Sequence, residues 1–122
     1  MVMELSQMRR MLAFALLASF ILPASAFAAT APVPVTLAGT LFNNKPHAKL
    51  TIKLGQSVRF IWKNGFHNVV TQTAPAGAKK VNSGKPVSSH KPILFKPAKK
   101  GKYVFYCVPH KALGMVITLT VK

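Results

Sequence analysis

Residues 103–115 read Tyr-Val-Phe-Tyr-Cys-Val-Pro-His-Lys-Ala-Leu-Gly-Met. Up to Cys107, aromatic or thiol side chains occupy every second position, which predicts a strand that buries one face. A proline and a glycine follow, so the residues after Cys107 are predicted to form a loop. The loop contains His110 and ends at Met115, where alternation resumes. Two strands therefore hold both ends of a short loop that carries a thiol, an imidazole and a thioether.

Alternating apolar segments also occupy much of the chain before this stretch. Residues 48–54 and 57–63 are the clearest of them, and turn signals follow each. Residues 73–91 are rich in Pro, Gly, Ser and Lys and predict a long surface loop, with at most a short strand near Val87. The predicted strands are 33–41, 48–54, 57–63, 66–73, 92–95, 102–107 and 115–122. Seven or eight short strands without a helical period predict an all-β fold, a Greek-key β-sandwich.

The N-terminal residues have the three parts of a secretory signal peptide. A basic pair at residues 9–10 precedes an apolar run at residues 11–23, and small residues at 24–28 offer cleavage sites. The apolar run is shorter than the ~20 residues that span a bilayer. We therefore predict a signal peptide at residues 1–28, one domain at residues 29–122 and a periplasmic or otherwise exported protein. The alternative is an uncleaved N-terminal anchor.

The charge of the chain is strongly one-sided. The sequence has 17 Lys and Arg residues and one acidic residue. The predicted leader contains that residue, Glu4, together with Arg9 and Arg10. Residues 29–122 therefore carry fourteen lysines, Arg59 and no acidic side chain, which gives a net charge of +15. Such a surface repels itself and favours acidic partners.

The lone cysteine, Cys107, cannot form an internal disulfide. In an exported chain it predicts an intermolecular disulfide, a reactive thiol or a metal ligand. A second histidine, His67, lies in the apolar segment Phe-His-Asn-Val-Val at residues 66–70. One thiolate, two imidazoles and one thioether are the ligands of a blue-copper electron-transfer site. The set Cys107, His110, Met115 and His67 therefore favours copper.

Other chemistries fit the sequence less well. Zinc accepts the same ligands, but structural zinc sites usually have four strong ligands and catalytic zinc keeps a position for water. The domain offers no carboxylate side chain to act as a base, so we predict that it is not an enzyme. His47 and His90 lie in basic, turn-like segments without ligand-type neighbours, and we predict that neither binds the metal.

The quoted residues resemble the cupredoxins, the single-domain blue copper proteins, and most closely their plastocyanin and pseudoazurin branch. The matching segments are residues 66–70, 103–110 and 114–116. The pattern Cys-x-Pro-His-x4-Met has the spacing of that branch, whereas the related amicyanins have a shorter loop before Met. The resemblance extends over nearly all of residues 33–122.

The resemblance implies a role for each matching residue. His67, Cys107 and His110 would be the equatorial ligands of one copper ion that cycles between Cu(I) and Cu(II), and Met115 would be the axial ligand. Asn68 would join the two ligand-bearing segments through hydrogen bonds.

The resemblance also implies two routes for electrons. The exposed edge of His110 would be the electron port, in a patch with Pro109, Ala112 and Leu113. Tyr106 would offer a second, remote route to the Cys107 thiolate. The alternative for Tyr106 is an ordinary exposed strand aromatic.

Two residue patterns depart from the family. Val108 stands where the family often has Ser or Thr, so a hydrogen bond across the ligand loops is expected to be missing. Plant-type plastocyanins often carry an acidic patch beside the remote tyrosine, whereas residues 29–122 have no acidic side chain. A docking partner shared with those proteins is therefore not expected.

The leading hypothesis is an exported, monomeric carrier of single electrons. Its partners would be acidic redox proteins that bind transiently, with Lys111 near the electron port. The charge also permits contact with a membrane surface, whereas nucleic acid is not an expected partner outside the cell membrane. A flanking basic patch would comprise Lys79, Lys80, Lys85 and Lys91. The alternative function is copper storage or delivery with the same ligands.

Overall fold

The computed structural model describes Ser19, Ile21 and residues 30–122. The predicted signal peptide, residues 1–28, lies outside the described residues apart from those two positions. Within the described part, the chain forms eight strands and one short 3₁₀ helix. The strands are β1 (Val33–Ala38), β2 (Leu41–Phe42), β3 (Ala48–Ile52), β4 (Val58–Trp62), β5 (Val70–Thr73), β6 (Ile93–Phe95), β7 (Gly101–Tyr106) and β8 (Val116–Val121), and the 3₁₀ helix is Lys111–Leu113. This part contains no helix that is long and apolar enough to cross a membrane.

The strands form two sheets of four strands each. One sheet has the order β2-β1-β4-β6 and the other the order β3-β8-β7-β5. The pairs β1–β4 and β3–β8 are parallel, and the remaining pairs are antiparallel. Buried side chains from both sheets form one core. This arrangement confirms the predicted all-β sandwich.

The prediction of one continuous strand at residues 33–41 is wrong. β1 ends at Ala38, and β2 then folds back on it, with Leu37 opposite Phe42. The break occurs at Gly39, which has a φ of 59° that favours glycine. The Gly39 N–H donates a hydrogen bond to Asn64 Oδ1 at 2.8 Å, which fixes the turn.

Two other strand predictions also change in detail. The predicted strand at residues 66–73 begins only at Val70. The short strand predicted near Val87 is a single bridge to His67. Both backbone groups of His67 pair with Val87, with N–H···O lengths of 2.9 and 3.0 Å. The long loop at residues 73–91 therefore contacts the backbone of a predicted ligand, although it forms no further strand there.

The core is rich in aromatic side chains because the inward positions of several strands carry them. Phe60 of β4 is fully buried and packs edge-to-face on Phe105 of β7, with ring centroids 5.2 Å apart. Phe95 packs in the same way on Tyr103 and Phe105. Because β4 and β6 belong to one sheet and β7 to the other, these contacts join the two sheets. Aromatic pairs with this geometry add stability beyond the area that they bury.

Strand directions bring the predicted ligands to one end of the sandwich, here called the site end. β7 ends immediately before Cys107, and β8 begins immediately after Met115. His67 lies in the connection from β4 to β5. The Cys107 N–H donates to the Met115 carbonyl at 3.1 Å, which closes the ligand loop at its base.

Replacement of Phe60 tests the contact between the sheets. Phe60→Ala removes a fully buried ring that packs on both Phe42 and Phe105. We expect the free energy of unfolding to fall by about 3–5 kcal/mol, measured by urea denaturation. Ile61→Ala is the matched control because Ile61 is the next residue of β4 and is only partly buried. Equal losses in the two variants would contradict this account of the core.

Candidate metal centre

Three metal-binding side chains meet at the site end. The donor atoms of His67, Cys107 and His110 all lie within 4.8 Å of one another. Cys107 Sγ is 3.7 Å from His67 Nδ1 and 3.6 Å from His110 Nδ1. The two imidazole rings meet edge-to-face, with centroids 5.1 Å apart. Sequence positions 67, 107 and 110 therefore form one cluster in space.

The spacing of these donors fits a bound metal ion. Bonds of about 2.0 Å to nitrogen and about 2.3 Å to sulfur, at trigonal angles, separate nitrogen from sulfur by about 3.7 Å. The two sulfur–nitrogen distances here have that size. A cysteine and two histidines in a trigonal arrangement are the donor set of blue-copper sites. The residues present thus fit copper.

Met115 lies beside this cluster and is fully buried. Its N–H donates to the His110 carbonyl at 3.1 Å, and its carbonyl accepts from the Cys107 N–H at 3.1 Å. Met115 is therefore held by the backbone of two predicted ligands. Its role as the axial ligand stays a prediction.

His67 is oriented by contacts that the sequence did not indicate. Its Nε2 lies 2.7 Å from the Asn64 carbonyl oxygen. A carbonyl only accepts hydrogen bonds, so Nε2 must carry the proton and Nδ1 is left with a lone pair toward Cys107. The Trp62 indole N–H also donates to the His67 carbonyl at 3.2 Å. Such outer contacts fix the tautomer and the ring orientation of a ligating histidine.

Asn68 joins the two ligand-bearing segments, as predicted. Its Oδ1 accepts a hydrogen bond from the Val108 N–H at 2.8 Å, and its Nδ2 donates to the Gly84 carbonyl at 3.0 Å. The Val108 side chain is exposed, and the bond uses only its backbone. A hydrogen bond across the ligand loops is therefore present without the Ser or Thr hydroxyl expected at position 108.

Burial changes the pKa of two members of the cluster. Desolvation lowers the pKa of His67; the hydrogen bond to Asn64 opposes this change, and repulsion from His110 adds to it. The neutral imidazole that results is the form that binds metals. Desolvation also raises the pKa of Cys107, against the opposing effect of the backbone N–H groups of Asn68 and His110. Metal binding must then displace a proton from the thiol.

The predicted electron port reaches the surface. His110 is partly exposed, and Pro109, Ala112 and Leu113 around it are exposed. Leu113 retains 60% of its accessible area, and Phe66 on the neighbouring loop retains 54%. The site end thus presents an apolar surface beside a histidine of the cluster.

Tyr106 lies on the outer side of β7, one residue before Cys107, and is partly exposed. The Lys111 ammonium lies 4.4 Å from the centroid of its ring. Lys111 was expected beside the electron port, whereas its charged group extends toward Tyr106. A cation over an aromatic face is a favourable contact.

The two remaining histidines do not join the cluster. His90 is exposed and stacks on Trp62, with ring centroids 4.6 Å apart and planes at 24°. His47 is exposed and has a φ of 47° in the turn before β3. Both positions agree with the prediction that these residues are not ligands.

Comparisons with known proteins relate this chain to copper proteins. Residues 37–122 match the family described as copper binding proteins, plastocyanin/azurin family. Plastocyanin from Nostoc punctiforme is 38% identical over 88 residues, which cover 61% of each chain. Plastocyanin from Prochlorothrix hollandica is 40% identical over 80 residues, which cover 60% of this chain and 59% of that protein. The chain thus spans about three-fifths of the length of these relatives.

Solved structures show the same fold. Pseudoazurin from Methylobacterium extorquens AM1 aligns with a TM-score of 0.63 and 29% identity over 75% of each chain. Pseudoazurin from Hyphomicrobium denitrificans aligns with a TM-score of 0.61 and 27% identity, also over 75% of each chain. Amicyanin, at 21% identity and a TM-score of 0.59, shares the fold.

Gly65 offers a test of how His67 is positioned. A Cβ at Gly65 would lie 2.7 Å from His67 Nε2, and the residue has a φ of 88°. Gly65→Ala should therefore displace the ring and break its bond to Asn64, seen as a shift or loss of the Nε2–H proton resonance in NMR spectra.

Gly55→Ala is the matched control. Gly55 has a φ of 97°, and a Cβ there would have no neighbour within 4 Å. Both variants bear the cost of a left-handed alanine, about 1–2 kcal/mol. We expect Gly65→Ala to lose about 1–3 kcal/mol more in unfolding free energy, because a buried donor is left without its partner. An unchanged His67 resonance in Gly65→Ala would contradict this view of the site.

Proposed function

The chain belongs to the plastocyanin/azurin family of copper-binding proteins, and from this membership we propose that it is an exported carrier of single electrons. One copper ion would be held by His67, Cys107 and His110, with Met115 as the axial ligand. The observation that carries the proposal is the spacing of Cys107 Sγ from the two Nδ1 atoms, 3.7 and 3.6 Å. When bound, copper supplies a Cu(I)/Cu(II) couple that accepts or gives one electron.

The protein's contribution is to hold the ligands in place. His67 and Cys107 are fully buried, and Asn64 and Asn68 fix the segments that carry them. Ligands that are fixed before the metal binds have little freedom to rearrange when the charge of the site changes. A site with little rearrangement favours rapid electron transfer in both directions.

The same features argue against catalysis. Water is excluded from the buried side chains, and residues 30–122 contain no carboxylate side chain to act as a general base. Four ligands leave no open coordination position for a substrate. We therefore propose a carrier without enzymatic activity of its own.

Electrons would pass through the exposed part of His110. The exposed, apolar side chains of Pro109, Ala112 and Leu113 permit close approach of a partner at that point. Tyr106 would provide a second route because it adjoins Cys107 and reaches the outer side of β7. Lys111 follows His110 in the chain, but its ammonium lies over the Tyr106 ring, so it places a positive charge beside the second route.

The proposed partners are acidic redox proteins that bind transiently to a monomer. All fourteen lysines and Arg59 are exposed, and no acidic side chain accompanies them in residues 30–122. Opposite charge on a partner would speed the encounter, and the small apolar patch would allow rapid release. The composition of residues 1–28 supports a cleaved leader, a domain at 29–122 and a periplasmic location. Nucleic acid is not a proposed partner.

Copper addition tests the proposed centre. Cu(II) added to the purified protein should produce an intense visible band from charge transfer between the Cys107 thiolate and copper. Cys107→Ser should abolish the band, whereas His90→Gln should retain it because His90 lies outside the cluster. A colourless copper complex of the unmodified protein, or a blue complex of Cys107→Ser, would overturn the proposal.

Ionic strength tests the steering by positive charge. Oxidation of the Cu(I) protein by hexacyanoferrate(III), an anion, should slow by about tenfold as the Debye length falls from about 30 Å to about 8 Å. Oxidation by tris(phenanthroline)cobalt(III), a cation, should accelerate over the same range. Stopped-flow absorbance measures both rates. If both reagents respond alike to salt, the surface charge does not steer.

Storage or delivery of copper requires a site that exchanges its metal readily. The burial of His67 and Cys107 argues for a carrier instead. Release of copper to an excess of chelator should therefore be much slower than electron self-exchange, as measured by NMR line broadening. Rapid release together with slow self-exchange would favour delivery.

A further inference from the structure

The end of the sandwich opposite the site end is here called the distal end. β7 runs from Gly101 at the distal end to Tyr106 at the site end, a distance of roughly 16–17 Å. β3 and β8 end there, since the Lys122 N–H donates to the Ile52 carbonyl at 3.0 Å and the Lys122 carbonyl accepts from the Leu54 N–H at 2.8 Å. The distal end is therefore well separated from the metal centre.

Lysines gather at the distal end because several strands meet there. Lys53 follows β3, Lys122 follows β8 and Lys100 precedes β7, and these strands are neighbours in the order β3-β8-β7. Gly101 pairs with Val121, which places Lys100 beside Lys122. The distal lysines are Lys53, Lys96, Lys99, Lys100, Lys102 and Lys122, and all are exposed.

No acidic side chain of the domain neutralises these cations, because residues 30–122 contain none. Among the ammonium groups of these lysines, only that of Lys99 forms a hydrogen bond, from Nζ to the Ala76 carbonyl at 2.9 Å. Mutual repulsion of exposed lysines costs stability unless an external anion compensates for it. The distal end is thus a positively charged surface, which suits contact with an anionic layer.

The chain also enters the domain at the distal end. The Val33 N–H donates to the Ser57 carbonyl at 2.8 Å, and Ser57 adjoins the turn in which the Gln56 N–H bonds to Lys53. The apolar run at residues 11–23 precedes this entry point in the sequence. Until its proposed cleavage, a leader held in a membrane would keep the distal end of the domain nearest to the lipid headgroups.

From these two observations we propose that the distal end binds the anionic surface of a lipid bilayer. The metal centre then faces away from the membrane, where its apolar surface remains open to redox partners. Basic residues beside an anionic surface contribute about fivefold each to binding, which corresponds to about 1 kcal/mol. The contact requires neither copper nor electron transfer, and it goes beyond the proposed function.

Vesicle sedimentation with two matched triple variants tests the orientation. The distal variant is Lys53→Gln with Lys100→Gln and Lys122→Gln, and the control is Lys63→Gln with Lys85→Gln and Lys91→Gln at the site end. Both lower the net charge by the same amount. The exported protein, as recovered from cells, is mixed with vesicles of phosphatidylcholine alone or with phosphatidylglycerol.

The measured quantity is the ratio of the partition coefficients for the two vesicle types, because this ratio removes any contribution of an apolar leader. The distal variant should lower the ratio by about 100-fold, and the control by less than about tenfold. Salt at about 1 M, where the Debye length is about 3 Å, should bring all three ratios close to one. Equal losses would show that net charge alone acts, and a larger loss in the control would show that the site end faces the lipid; either result overturns the proposal. Cooperative thermal unfolding at midpoints no lower than that of the unmodified protein confirms that both variants are folded.

Discussion

The hydrogen bond from the Cys107 N–H to the Met115 carbonyl determines the shape of the ligand loop. It extends the β7–β8 pairing one step past the pair of Tyr106 and Val116. The residues between Cys107 and Met115 then form a tight turn. In this turn the N–H groups of Leu113 and Met115 both donate to the His110 carbonyl. His110 is therefore turned back toward Cys107. The metal site depends on this closure, since three of its four predicted ligands belong to one loop.

The fourth predicted ligand, His67, lies forty positions before Cys107, so contacts outside the ligand loop must hold it in place. His67 is fixed on three sides, by the Asn64 carbonyl at Nε2, by pairing with Val87 and by the Trp62 indole N–H. Asn68 then bonds this segment to the backbone of Val108. Burial of these two ligands disfavours their charged forms. It lowers the pKa of His67 and raises the pKa of Cys107. A metal cation reverses this cost at the thiol, because it stabilises the charged thiolate.

The sequence was sufficient for the all-β class, for the eventual cluster of His67, Cys107 and His110, and for the tie through Asn68. The class and the cluster follow from alternation and from residue types that few other roles require, whereas the tie through Asn68 follows from the resemblance to the cupredoxins. It was insufficient for the break at Gly39, which depends on a side chain of another loop, Asn64. The contacts of Trp62 and Val87 with His67 were also missed. The Val87 contact is a backbone pairing between segments distant in sequence, which leaves no mark on residue identity, and the Trp62 contact depends on how the chain turns between residues 62 and 67.

The absence of acidic side chains leaves both ends of the domain positively charged. Without carboxylates, no lysine of residues 30–122 can be neutralised by a side chain of the domain, and the structure shows two weaker substitutes. Lys99 donates to a backbone carbonyl, and Lys111 lies over the Tyr106 ring. Neither contact removes the charge from solvent, so the field of the lysines extends outward to whatever approaches.

Stability must then come from packing and backbone hydrogen bonds, as in the aromatic core around Phe60. Because the core is independent of surface charge, the lysines at either end can serve binding without being needed for folding.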